Sequence, residues 1–183
     1  MLLDTPICDF GWKAPDFTLR DPDGHAFTMS QHLGENGLLV AFLCNHCPYV
    51  QAIADRLAED TSTLLDEGIG VLGVMSNDYR AVPTDGPAYM RSFAARSGWR
   101  FPYLIDEDQS VGKAWGAVCT PDFFGLNAQG ELQYRGRLDN TRLGSSSNRT
   151  RELVEAMRQI SQSGHGPEKQ MPSMGCSLKW RKM

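Results

Sequence analysis

The chain has 183 residues, of which 41 % are hydrophobic and 22 % charged. That is enough apolar material for one globular domain and too much for a disordered one. Its formal net charge of −4 gives no sign of the clustered basic face that a nucleic-acid partner requires. No run approaches the roughly 18 apolar residues of a membrane span. The start, Met1 to Pro6, lacks the basic-then-apolar pattern of a secretory signal, so neither nucleic acid nor membrane is expected as a partner, and the expected location is cytoplasmic.

In chain order, residues 13–29 predict a short hairpin. Phe17-Thr18-Leu19 and Ala26-Phe27-Thr28 flank a turn at Asp21-Pro22-Asp23-Gly24. Leu38 to Leu43 is a continuous apolar run, the pattern of a strand buried on both faces. Cys44-Asn45-His46-Cys47 follows at once. Behind it Val50, Ile53, Ala54, Leu57, Ala58, Thr61, Leu64 and Leu65 recur at helical spacing until Gly68.

Ile69 to Met75 predicts a second buried strand, Pro87 to Gly98 a helix, Phe101 to Ile105 a short strand and Ser110 to Trp115 a short helix. Phe123 to Leu126 and Leu132 to Tyr134 flank the Asn127-Ala128-Gln129-Gly130 turn as a second hairpin. Arg149 to Ile160 predicts a last amphipathic helix. Such alternation gives an α/β sandwich around a central mixed sheet, with a single domain over residues 1–163. Residues 164–183, rich in Gly, Pro, Ser and Lys, predict a tail with little regular structure.

Chemistry centres on the cysteines. There are five: Cys8, Cys44, Cys47, Cys119 and Cys176. An odd count with one close pair does not match a secreted disulfide framework, and in a reducing compartment a close pair is more often catalytic or metal-binding than structural. Two cysteines three positions apart at the start of a helix put their sulfurs on one face, within disulfide reach. The helix N-terminus favours thiolate over thiol, and Pro48 fits the first turn, where its missing N–H costs nothing. His46 between them adds a further positive charge when protonated. A zinc site would need a second half of Cys or His ligands, and His25, His32 and His165 show no such spacing; no metal or other cofactor is expected.

Several strings carry a family likeness: Ala14-Pro15-Asp16-Phe17, Cys44-Asn45-His46-Cys47-Pro48-Tyr49, Ser76-Asn77-Asp78, Val118-Cys119-Thr120-Pro121-Asp122-Phe123-Phe124, Tyr134 to Asp139 and Gly175 to Trp180. Together they resemble a peroxiredoxin-like subgroup of the AhpC/TSA redoxins, in the thioredoxin superfamily. The resemblance implies a thioredoxin-like three-layer sandwich with an N-terminal β-hairpin extension. It also implies that Thr120-Pro121 is a cis-proline turn facing the dithiol.

Roles follow by the same resemblance. In thioredoxin-like proteins the first cysteine attacks, which makes Cys44 the nucleophile and Cys47 the resolving thiol. In peroxiredoxins a Thr-x-x-Cys string places the reactive sulfur at Cys47 and a Thr at position 44, where this chain has Cys. A peroxidase would also want an Arg by the sulfur, and Arg149 is a candidate by position. His46 resembles the His of oxidising members of the superfamily, which implies a disulfide less stable than thioredoxin's. Cys119 is a candidate third thiol or a small core filler, and Cys176 a candidate extra resolving thiol or ligand.

Three functions are therefore in play. The first is thiol–disulfide exchange on a protein disulfide. The second is reduction of hydroperoxides, and the third a non-catalytic metal-binding module. Either enzyme would draw on a cellular thiol reductant system. Nothing in the sequence specifies an oligomeric state.

Overall fold

A computed structural model describes residues 1–141, 144 and 147–183. In chain order its elements are β1 (Leu2–Asp4), β2 (Thr18–Arg20), β3 (Ala26–Thr28), α1 (Met29–His32), β4 (Leu38–Phe42), α2 (Pro48–Asp66) and β5 (Gly70–Met75). A 3₁₀ turn at Pro83–Asp85 leads into α3 (Pro87–Ser97), then β6 (Tyr103–Ile105) and α4 (Ser110–Trp115). The rest is β7 (Cys119–Thr120), β8 (Asp122–Leu126), β9 (Leu132–Tyr134), α5 (Glu152–Ser163) and β10 (Met174–Ser177). No helix among the described residues is long and apolar enough to cross a membrane.

Seven strands form one mixed sheet in the order β3-β2-β6-β5-β4-β8-β9. β4 lies in its interior, parallel to β5 and antiparallel to β8. All five β4 residues are buried, because both sheet faces are covered. Leu39 and Ala41 join the cluster that holds Val50, Leu57, Leu153 and Met157 from α2 and α5. Leu38, Val40 and Phe42 join Phe17, Val111 and Trp115 on the opposite side. Two faces and a central sheet make the three-layer α/β sandwich expected from the alternating pattern. Gly125 on β8 shows how tightly α5 presses: an added Cβ would stand 2.7 Å from the Met157 sulfur.

The two hairpins, α4 and the buried strands fall where the periodicity placed them. The last helix starts later, at Glu152, because Arg149 and Arg151 turn inward instead. The tail departs from expectation at residues 174–177. They form β10, the middle strand of a second, three-stranded sheet in the order β1-β10-β7. Met1 to Asp4 and the end of the chain are thereby docked beside Thr120. Too few residues carry the pattern for β1 or β10 to be read from sequence, since each has a single polar or apolar alternation.

Helix α2 is fixed by buried charge as well as by apolar packing. Asp60 has no exposed surface, and its carboxylate accepts from Arg149 at 2.6 and 2.7 Å and from Arg151 at 2.7 Å. Arg56 on the same helix reaches Asp139 at 2.8 Å, which also meets Arg149 at 3.3 Å. Removing one member of such a cluster leaves a buried charge without its counterpart. Asp60→Ala is expected to lower the unfolding free energy by about 3–5 kcal/mol, read from urea denaturation. A loss within the range of an exposed ion pair, under about 1 kcal/mol, would show that the cluster does not hold the helix.

Candidate active site

β4 ends at Phe42 and α2 begins at Pro48, so Cys44 to Cys47 form the link between an interior strand of the sheet and the 19-residue helix. Cys47 is the N-cap residue, with extended backbone (φ −70°, ψ 123°), and its carbonyl accepts from Gln51 N–H at 2.9 Å. Pro48 occupies the first turn as expected. Thr120-Pro121 is a cis peptide, and it faces the dithiol. Cys44 Sγ lies 3.2 Å from the Thr120 hydroxyl. The Cys47 thiol, when protonated, donates to the Thr120 carbonyl at 3.3 Å. One residue therefore meets both sulfurs.

Both sulfurs are buried, yet their surroundings differ. Cys47 is driven well below the ordinary thiol range, first by the Cys44 thiol donating to it, then by the Cys176 thiol and main-chain N–H and by the Val50 N–H at the helix N-terminus. Burial opposes this shift. Cys44 moves the other way, because it is the donor to Cys47, is buried, and stands near the Asp85 carboxylate. The two shifts are opposed: neighbouring donors and the helix N-terminus favour charge on Cys47, while burial and Asp85 disfavour it on Cys44.

His46 is held by Asp85. Its Nδ1 lies 2.6 Å from Asp85 Oδ2, and this hydrogen bond raises its pKa against the effect of partial burial. Asp85 is itself fully buried, and it accepts from Asn45 N–H at 2.8 Å, His46 N–H at 3.2 Å and Asn77 Nδ2 at 3.0 Å. These donors hold its carboxyl below the usual carboxylate range despite its burial. The positive charge expected from His46 is therefore largely balanced by a neighbour. Asn45 completes the frame: Tyr103 donates to its side-chain oxygen at 2.9 Å, and its own amide donates to Thr84 carbonyl at 3.0 Å.

Asp85, Tyr103 and Asn77 were not singled out as site residues by sequence. Pro83-Thr84-Asp85-Gly86-Pro87 is visible as turn chemistry, but nothing in its spacing ties it to His46. Arg149, proposed by position to serve a peroxide, is placed elsewhere. Its side chain is only 5 % exposed and committed to Asp60, Asp139 and Glu59. Cys119 is fully buried, and its thiol lies 3.6 Å from the Pro121 carbonyl. Burial and Asp122 push its pKa up, the environment of a core filler.

Cys44, His46 and Asp85 offer ligand atoms close enough together for a cation. However, His46 Nδ1 and both Asp85 oxygens already share hydrogen bonds. A metal would have to displace those donors, so the residues fit an ion poorly.

The AhpC/TSA family model matches residues 10–135. The chain belongs to the AhpC/TSA family. A relative from Mycobacterium tuberculosis H37Rv, provisionally named a peroxiredoxin, is 27 % identical over 123 residues, covering 67 % of this chain and 73 % of the relative. The thiol-disulfide oxidoreductase ResA of Geobacillus kaustophilus is 26 % identical over 123 residues, 67 % of this chain and 66 % of that one. An uncharacterized conserved protein from the same species has a solved structure that superposes with a TM-score of 0.92 at 34 % identity, over 100 % of this chain and 98 % of that one. The thioredoxin domain of a Bacteroides vulgatus thiol-disulfide oxidoreductase superposes with a TM-score of 0.58 at 16 % identity, over 69 % and 86 % of the two chains, which shows a shared fold. This AhpC/TSA member is thus a thioredoxin-like redox enzyme working through thiols.

Two titrations check the electrostatics. Thiolate absorbance near 240 nm in the reduced protein should show one step far below the ordinary thiol value of 9.0. It should vanish in Cys47→Ser and persist in Cys44→Ser; the reverse pattern would exchange the two assignments. His46 should titrate above 6.5 by NMR and fall back in Asp85→Asn. A raised folded-state pKa adds stability that is complete below the unfolded value and is lost as pH rises through the folded value. Asp85→Asn should accordingly cost more unfolding free energy at about pH 6 than at about pH 9, and an equal cost at both would separate His46 from Asp85.

Proposed function

We propose that this protein is a thiol–disulfide oxidoreductase in which Cys47 attacks and Cys44 resolves. The observation that carries the reading is the asymmetry of the pair around Thr120. Only Cys47 combines the helix N-cap with a thiol pKa driven below its ordinary range, while Cys44 is driven above it. This reverses the order implied by the thioredoxin resemblance and matches the position of the reactive sulfur in the Thr-x-x-Cys string.

The Cys47 thiolate attacks one sulfur of a substrate disulfide. That S–S bond breaks, and its second sulfur leaves as a thiolate. Cys44 then attacks the Cys47 sulfur of the mixed disulfide. The new Cys44–Cys47 bond forms, the first substrate sulfur departs, and the Cys44 proton goes to the departing thiol. The substrate gains two electrons and the enzyme loses two. In a reducing compartment such as the cytoplasm, a cellular dithiol system would return the pair to its reduced form. A lowered pKa serves this chemistry because it raises the thiolate fraction at neutral pH.

Reduction of a hydroperoxide is a second reading, favoured by the same thiolate at Cys47. Attack on the peroxide O–O bond would give a Cys47 sulfenic acid and an alcohol, and Cys44 would condense with it to release water. Among the described residues the one arginine nominated for this task, Arg149, is engaged elsewhere. That weakens the peroxide reading relative to exchange.

The test compares wild type, Cys44→Ser and Cys47→Ser under one thiol reductant with a disulfide substrate and with a hydroperoxide. Cys44→Ser should accumulate mixed disulfides with substrate, and Cys47→Ser should lose turnover by about a hundredfold or more. Trapping by Cys47→Ser instead would restore Cys44 as attacker. Turnover with peroxide but not with disulfides would replace exchange by the peroxidase reading.

A further inference from the structure

β10 brings a third cysteine to the dithiol. It lies antiparallel between β1 and β7, with Cys176 opposite Leu2 on one side and Thr120 on the other. Thr120 is the residue that meets both buried sulfurs. The approach is close because of the preceding residue. A Cβ added at Gly175 would overlap the Thr120 carbonyl oxygen at 1.8 Å, so only glycine lets the strand lie flat against the turn. Here the absent side chain, rather than an unusual φ, sets the distance.

Two observations separate Cys176 from an incidental surface thiol. Opposite Thr120 on its strand, it packs against the buried cluster that contains Cys47, and its proximity favours charge on the Cys47 sulfur. It is also only partly buried, whereas Cys44, Cys47 and Cys119 have no exposed surface. Contact with the reactive sulfur and access to solvent thus coincide in one residue, on a strand anchored from both sides. Cys119 fails the second condition and Cys8 the first.

We propose that Cys176 is a third redox thiol, which forms an alternative disulfide with Cys47 and passes exchange between the buried pair and a thiol partner outside. The proposal rests on the reading of Cys44 and Cys47 as the exchanging pair. In the isomerisation step the Cys176 sulfur, having lost its proton, attacks Cys47 in the Cys44–Cys47 disulfide. The Cys47–Cys176 bond forms, the Cys44–Cys47 bond breaks, and Cys44 takes up the proton; no electrons are gained or lost overall. An external dithiol then attacks the Cys176 sulfur, and Cys47 leaves as thiolate. The external dithiol closes its own disulfide and so supplies the two electrons. This second step is favoured by its leaving group, since a sulfur of low pKa departs faster. Attack on Cys176 releases the sulfur best able to carry charge, whereas direct attack on the buried pair would have to reach Cys47 or Cys44 beneath β10.

The full-length Cys44→Ser protein, oxidised with diamide and digested with trypsin without reductant, gives the first readout. The peptide spanning residues 21–56, with Cys47, should be linked to the peptide spanning 170–179, with Cys176. The link should be absent from Cys44→Ser/Cys176→Ser. Free thiols at Cys47 and Cys176 after this treatment, with a Cys44–Cys47 bond in the wild type, would overturn the relay and leave exchange intact. A wild type that forms no Cys44–Cys47 bond would instead overturn the exchange reading, while a Cys47–Cys176 link in Cys44→Ser would still establish the third thiol. As a second readout, Cys176→Ser should slow reduction of the oxidised protein by a thioredoxin about tenfold or more, as expected when an accessible sulfur is lost from exchange. Serine keeps a donor beside Cys47, so an equal rate would rule out a covalent role for Cys176.

Discussion

Everything at the site turns on how Thr120 meets two sulfurs at once. Its hydroxyl stands against Cys44 and its carbonyl against Cys47, so both polar groups of one residue face the dithiol. The carbonyl has no proton to give, so it holds Cys47 only while that sulfur is a thiol. Once Cys47 ionises, the neighbouring Cys44 and Cys176 and the first turn of α2 favour the charge. The pair is therefore built around a proton that can leave one sulfur without stranding it. β4, α2 and β8 serve to bring the two sides of this contact together, the dithiol link on one and the turn before β8 on the other.

A second layer keeps the link in shape. The carboxylate of Asp85 gathers two main-chain N–H groups, the His46 ring and the Asn77 amide. Buried carboxylates stay charged only when donors surround them, and here three of the four come from the dithiol loop itself. Asp85 consequently sets the conformation of Asn45 and His46, and it also makes Cys44 a poorer place for negative charge. A single group thus shapes the loop and helps to decide which sulfur is charged.

Much of this was legible in the amino-acid order. The apolar run before Cys44, the helical spacing behind Cys47 and the two hairpins are local patterns, and local patterns survive folding. The cis turn at Thr120-Pro121 came from family likeness, because ordinary X–Pro statistics favour trans. What stayed hidden was set by long-range contact. Asp85 lies 39 positions from His46 in the chain, and no periodicity links them. Arg149 looked available to the sulfur by position, yet a buried acid on α2 claimed it. The sequence around Cys176 suggested an unstructured tail, but a strand can be recruited by four residues when a partner edge already exists.

The ion pairs around Asp60 bear on how the enzyme behaves in different media. They grip α2 about 13 residues beyond Cys47, roughly 20 Å along the helix axis. Exposed charges lose their grip as electrolyte is added, but a pair as buried as Arg149 with Asp60 is screened much less. The carrier of the sulfurs is thus moored by forces that dissolved ions scarcely reach, and its bearing relative to the Thr120 turn should be the same in dilute buffer and in brine.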